Sequence, residues 1–207
     1  MSLKTRTTAA VVSQFHLPRG LPGALAGWVM AHRASNVARN RWAVSLLDLG
    51  PADDFLELGF GPGVAVEEAA RRAGRVYGLD HSEVMVRQAT RRNAAAIREG
   101  RADLRRGTAS DLGVFGGVRF DAVLTVNSAQ FWPDPVGVLE AVRAEMAPGG
   151  RVVLASQPRG PGVTDEDVEP AGAELADLLT DAGYGEIRRE RLALQPVSVA
   201  AALGVRR

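Results

Sequence analysis

Apolar and polar positions change their spacing repeatedly along this chain, and each change marks an element. From Asp53 onward, short apolar runs at 53–58, 75–79, 102–106, 120–125 and 151–155 read as strands. Between them lie stretches with apolar residues at helical spacing: 63–73, 82–97 (stopped by Gly100) and 135–147 (closed by Pro148-Gly149-Gly150). Strands alternating with helices predict a parallel sheet covered on both faces. Upstream, Gly20-Leu-Pro-Gly23 reads as a turn, followed by a helix over Ala24–His32 with Leu25, Trp28 and Val29 on one side. Ser35 or Asn36 can cap a second helix, with Val37, Val44 and Leu47 along one face, ending before Gly50-Pro51. Downstream, 157–170 is rich in Pro, Gly and acids and reads as a loop. A helix over 171–182 follows, then two strands near 185–193 and 195–205, close enough to pair as an antiparallel hairpin.

The first strand has an unusual end. Phe55-Leu-Glu-Leu-Gly-Phe-Gly-Pro-Gly63 places a carboxylate in an apolar run and then three glycines spaced two apart. Glycines there allow positive φ and let a ligand reach main-chain N–H groups. A dinucleotide fingerprint, G-x-G-x-x-G, needs a third glycine where Val64 stands, so a nicotinamide oxidoreductase is disfavoured. A carboxylate at Glu57 would repel a pyrophosphate and suits a cationic amine, such as that of S-adenosylmethionine.

Composition narrows the reading further. The length of 207 residues, with no shift in composition, suits one domain over 14–207, comprising a helical lid at 14–50 and a core at 51–207. Residues 1–13 form a polar, Thr-rich arm. The formal charge is +1 with acids and bases interleaved, so neither a nucleic-acid stripe nor a basic membrane-surface helix is expected. Lys4 is the sole lysine, a bias toward arginine that coding preference explains. There is no cysteine, which excludes disulfides, thiolate metal sites and a cysteine nucleophile. No apolar run approaches the ~20 residues of a membrane span, and the expected location is cytoplasmic.

A second cluster follows the second predicted strand. Asp80 ends that strand with an acid able to accept from both hydroxyls of a ribose, Ser82 caps the next helix, and Met85 lies one turn on. Together, Glu57-x-Gly59-x-Gly61-Pro-Gly63, Gly78-x-Asp80-x-Ser82-x-x-Met85, Phe120-Asp-Ala-Val123 and Pro148-Gly149-Gly150 resemble a class I S-adenosylmethionine-dependent methyltransferase. The segment from Val126-Asn127 through Phe131-Trp132-Pro133-Asp134-Pro135 is similar to the bacterial small-molecule branch of ubiquinone and menaquinone methyltransferases. The resemblance covers about 36–156 and implies a Rossmann-like seven-stranded sheet in the order 3-2-1-4-5-7-6, with strand seven antiparallel. It implies that Glu57 faces the methionine amine of the cofactor, that Gly59, Phe60, Gly61 and Gly63 hold its methionine part, and that Asp80 holds its ribose. His81 and Met85 would flank the adenine. Where the family has Gly-Asp-Ala after strand three, this chain has Gly107-Thr108-Ala109. Thr108 would then accept without charge assistance, at roughly half the strength, and Asp111 substitutes if the loop turns inward.

Methyl transfer from a sulfonium needs alignment more than acid or base, so residues of the chemical step leave a weak signature. The candidates are His16, Asn127 and Gln130; Asn127 also belongs among the expected cofactor contacts. His16 reads equally as a loop histidine, and Asn127 and Gln130 as caps or turn formers. Phe15, Trp28, Phe131 and Trp132 would line an apolar acceptor pocket, or anchor helices. The expected acceptor is a small molecule, with S-adenosylhomocysteine as product, and the protein a monomer or homodimer. Two other readings stay open: a non-catalytic cofactor- or partner-binding module, and a methyltransferase acting on RNA or protein.

Overall fold

The computed structural model of the protein describes residues 34–207. The predicted arm, the helix at Ala24–His32 and the site residues Phe15, His16 and Trp28 lie outside the described residues. The first described element is α1 (Ala34–Ser45), which precedes β1 (Asp54–Leu58), α2 (Val64–Ala69) and β2 (Arg75–Asp80). Next come α3 (Glu83–Arg92), α4 (Ala94–Arg98), β3 (Ala102–Arg106), β4 (Phe120–Val126), α5 (Pro135–Glu145) and β5 (Met146–Ser156). The chain ends with α6 (Val168–Asp181), β6 (Gly185–Leu192) and β7 (Val199–Val205). The strands form one seven-stranded sheet in the order β3-β2-β1-β4-β5-β7-β6. Only β7 runs against the others, pairing antiparallel with both β5 and β6. This is the expected Rossmann-like topology.

Alternating strand residues feed two cores, as a buried parallel sheet requires. Phe55, Val76, Leu124 and Val153 pack with Ala43 and Val44 of α1, with Leu47 just beyond it, and with Ala65 and Val66 of α2. Their neighbours Leu56, Tyr77, Val123 and Val152 face the other way, against Leu139 and Val142 of α5 and Leu175 and Leu179 of α6. The parity has a direct consequence for function. Glu57, Asp80 and Gln157 fall in step with Phe55, Val76 and Val153, so all belong to the face that α1 and α2 cover.

α1 runs antiparallel to β5. At the middle of β5, Arg151 Nη1 donates to the Asp48 carbonyl at 3.0 Å; just past its carboxyl end, Arg39 Nη1 donates to Gln157 Oε1 at 2.6 Å. Several boundaries differ from the sequence reading, each for a local reason. Ser35 and Asn36 lie inside α1 rather than at its cap, and its buried stripe is Asn36, Arg39, Asn40, Ala43 and Val44. The long helix expected at 82–97 breaks at Asn93, whose Nδ2 donates to the carbonyls of Ala89 (2.9 Å) and Gly63 (3.2 Å). β5 begins earlier than expected because the Pro148-Gly149-Gly150 turn is drawn into the sheet: Gly149 N–H donates to Arg206 O at 2.9 Å, and Arg206 N–H to Gly150 O at 2.8 Å.

Candidate active site

In an open parallel sheet a ligand lies outside the carboxyl ends of the strands, where the strand order reverses. Here that point lies between β1 and β4. The glycine turn sits beside it, and its three glycines have different duties. Gly59 (φ +74°) is held by packing: a Cβ built there would lie 2.7 Å from Ser128 Cβ. Gly63 (φ +77°) starts α2, and its Cβ would lie 2.8 Å from Ala89 Cβ. Gly61 (φ +52°) meets nothing within 4 Å. It is the glycine beside which a ligand has room.

Glu57 is 2 % exposed, at the end of β1 beneath α2. It accepts from the Val66 N–H in the first turn of α2, which has no side-chain cap of its own. Glu57 Oε2 has no partner and is fully buried. Burial pushes this carboxyl well above its ordinary range, the nearby Asp80 charge pushes it further, and the Val66 N–H only partly opposes them. A buried carboxylate with one orphaned oxygen is costly unless a donor arrives. An ammonium group supplies that donor and a compensating charge together.

Asp80 ends β2 and is also buried. Its Oδ2 accepts from Gly61 N–H and its Oδ1 from Ser82 N–H, both at 2.8 Å. Desolvation raises its pKa, against the lowering effect of those two N–H groups and of His81. Each carboxylate oxygen has two acceptor positions, so the two bonds to the backbone leave capacity for a pair of hydroxyls. Ser82 caps α3 as expected, accepting from Met85 N–H. Met85 is buried beneath the first turn, and His81 is exposed with Nδ1 3.9 Å from Asp80.

The remaining predicted residues divide between the site and its supports. The Phe60 side chain is 3 % exposed, joins the α1–α2 core and fills the space over Gly78, where a Cβ would lie 2.6 Å from its ring, so only its backbone is placed with the turn. Thr108 and Asp111 bond to each other, the Thr108 N–H and hydroxyl donating to Asp111 Oδ2 at 2.7 and 2.8 Å. These bonds hold the Asp111 carboxyl below its ordinary range. Ala109 is buried in the α5–α6 core, and Trp132 packs against that core too. Phe131 is 50 % exposed, and Gln130 is exposed beside it.

Asn127 stands at φ +53° just past β4. Its N–H donates to Ala155 O at 2.8 Å and its Oδ1 accepts from Gln157 N–H at 2.7 Å, so it ties together the carboxyl ends of β4 and β5. Gln157 in turn donates Nε2 to Val197 O at 2.6 Å and accepts from Arg39. Arg39, Asn36, Asn40 and Gln157 were not among the sequence candidates. The signal was present in the helical spacing of 36, 39 and 40 ahead of Ala43 and Val44, but polar residues in a helix are ordinarily taken as the wet face.

A turn that leaves one glycine open, a buried carboxyl lacking a donor, and an acid ending β2 together meet the needs of an amino-acid-bearing nucleoside. Residues 56–154 match the family model described as a methyltransferase domain. The chain is 28 % identical to the methyltransferase YdaC of Bacillus subtilis over 79 % of this chain and 87 % of that protein. It is 32 % identical to a ubiquinone biosynthesis O-methyltransferase of Alkalilimnicola ehrlichii over 52 % of this chain, and spans 42 % of that longer protein. Among solved structures, the N-methyltransferase NodS of Bradyrhizobium japonicum, in complex with S-adenosylhomocysteine, superposes with a TM-score of 0.66 at 17 % identity, covering 86 % of this chain and 91 % of NodS. Residues 56–154 thus carry a methyltransferase domain, on the fold of enzymes that use S-adenosylmethionine.

Proposed function

We propose that the protein transfers the methyl group of S-adenosylmethionine to a small-molecule acceptor by in-line displacement. The observation that carries the donor half is the orphaned Glu57 Oε2 buried beside the one glycine of the turn that faces open space. Glu57 would receive the cofactor's ammonium, Asp80 its ribose hydroxyls, and the turn at Gly61 its methionine chain. The cofactor supplies an already activated methyl group, so the protein's task is to align it with a nucleophile.

Two features support a small acceptor. The carboxyl ends of β4 and β5 are spanned by the Arg39, Gln157 and Asn127 bonds, with α1 packed above them. The chain also shares sequence with an enzyme whose name places it in ubiquinone biosynthesis. Asn127 sits where an acceptor would pass, and Gln130 and Phe131 present exposed surfaces at the same edge.

Calorimetric titration with S-adenosylhomocysteine tests the donor half, with saturable one-site binding expected. Incubation with labelled S-adenosylmethionine and panels of phenols, amines and acidic carbon compounds tests the acceptor half. Label entering a small product supports the proposal. Label entering only RNA or protein, or donor binding without turnover on any panel, overturns it.

A further inference from the structure

Asn93 breaks a local rule. Asparagine is a favoured N-cap, and Asn93 immediately precedes α4, yet its side chain makes no cap bond to that helix. It is 3 % exposed, and its Nδ2 reaches back instead, to Ala89 O at 2.9 Å and to Gly63 O at 3.2 Å. Both neighbours are carbonyls, so the amide presents its two N–H donors to them. The second bond joins residues thirty positions apart and ends on the glycine turn. A side chain that leaves its own helix end for a distant turn points to a role at that turn.

Several constraints on the turn meet at Gly63. Its N–H donates to Phe60 O at 2.9 Å, which closes the turn, and its carbonyl accepts from Glu67 N–H at 3.1 Å, which begins the α2 ladder. Asn93 holds the same carbonyl from the end of α3, and the neighbouring Arg92 pairs with Glu67 at 2.9 Å. The end of α3 is thus fastened to the first turn of α2, whose Val66 N–H donates to Glu57. The start of α3 belongs to the other half of the donor site: Ser82 caps it while donating its N–H to Asp80, and Met85 is buried beneath its first turn. α3 has 10 residues and so forms a strut of roughly 15 Å between the two halves.

We propose that Asn93 is a positioning residue for the methyl donor: through Gly63 it sets the glycine turn, and with it the Val66 N–H and Glu57, at the distance from Asp80 that the donor's methionine portion requires. This rests on the donor half of the function proposed above. Asn93 acts through Gly63 and needs no contact with the ligand. Its loss should therefore be felt by the amino-acid portion of the donor, which the turn receives, and not by the nucleoside, which Asp80 and the start of α3 receive.

The test titrates S-adenosylhomocysteine and 5′-methylthioadenosine, which keeps the nucleoside and lacks the amino-acid portion, into the wild type, Asn93→Ala and Asn93→Asp, with thermal melts confirming that each is folded. Asn93→Ala should weaken S-adenosylhomocysteine about three- to tenfold, as for a lost hydrogen bond, and leave 5′-methylthioadenosine within about twofold. Asn93→Asp keeps the shape of the side chain but sets a carboxylate against two carbonyls. It should weaken S-adenosylhomocysteine further, again sparing 5′-methylthioadenosine, and it decides the matter alone should the alanine variant not fold. If the two ligands weaken together, or if neither weakens while the melting temperature drops, Asn93 only holds the scaffold and the proposal falls. It also falls if Asn93→Asp binds S-adenosylhomocysteine as the wild type does. Failure of the wild type to bind S-adenosylhomocysteine would instead remove the methyltransferase reading beneath it.

Discussion

Two buried groups near the carboxyl ends of the strands have opposite deficits. At the β1–β2 end a carboxyl, Glu57, is buried without enough donors; at the β4–β5 end a guanidinium, Arg39, is buried without enough acceptors. The first and its neighbour Asp80 are framed by backbone, Val66 N–H donating to Glu57, and Gly61 and Ser82 N–H to Asp80. The second is framed by side-chain amides, from Asn36 and Gln157. Backbone framing suits a ligand that never changes, because main-chain N–H groups survive substitution. Amide framing is set residue by residue and is lost with a single substitution.

The sharpest way to break the comparison is Glu57→Gln. Loss of the charged partner should weaken cofactor binding by about 2–3 kcal/mol, or thirty- to more than a hundredfold. The same change should stabilise the cofactor-free protein. The folded Glu57 carboxyl holds its proton above the ordinary value of 4.5, so the unfolded chain binds fewer protons in that window. Stability of the wild type therefore falls as pH rises from 4.5 through the raised folded value, and Glu57→Gln should remove that slope in melts across pH. Where the free carboxyl is still protonated, ammonium binding should release a proton, seen as buffer-dependent heat in calorimetry.

Gly61→Ala and Gly63→Ala make the next pair, both placing a Cβ at positive φ. Backbone strain should cost about 1 kcal/mol in each. Gly63→Ala adds a clash with Ala89 and Asn93 and should lower the melting temperature more. Gly61→Ala fills the open approach and should act mainly on cofactor affinity.

Just past β4, Asn127→Gly keeps the positive φ and loses the bond to Gln157 N–H. It should cost about 1 kcal/mol in stability and lower turnover with S-adenosylhomocysteine affinity unchanged. The smallest effect belongs to Asp165, an exposed acid that accepts from Ser198 N–H at 2.7 Å and pairs with Arg191. The Ser198 N–H, foremost, lowers its pKa, so this contribution is present above the ordinary aspartate range and is lost as pH falls through the lowered value. Asp165→Asn should flatten the acid end of the melting profile and leave activity alone.

The sheet was legible because its strands alternate or run apolar, and the starts and ends of β1 to β4 fall within a residue of their sequence limits. Glu57 was legible for the same reason: a carboxylate in an apolar run stands out. Arg39 was not. It lies two residues from Arg41, in a chain whose cations are almost all arginine, and nothing in their chemistry says that one is buried and the other exposed. The face of α1 was misjudged along with it, since Val37 was placed on the buried side and Asn36 was not. Burial of polar groups is decided by what lies across from them, in this case Gln157, which is 118 residues further along the chain.

α1 is fastened to the sheet by the half of its stripe that carries Ala43 and Val44, and by the Asp48 carbonyl at its far end. Its first two turns carry the buried Asn36, Arg39 and Asn40, and Arg39 ties them to Gln157 just past β5. The helix is therefore seated by two chemistries, an apolar half and a hydrogen-bonded half, and a descendant could alter one while the other keeps it in place.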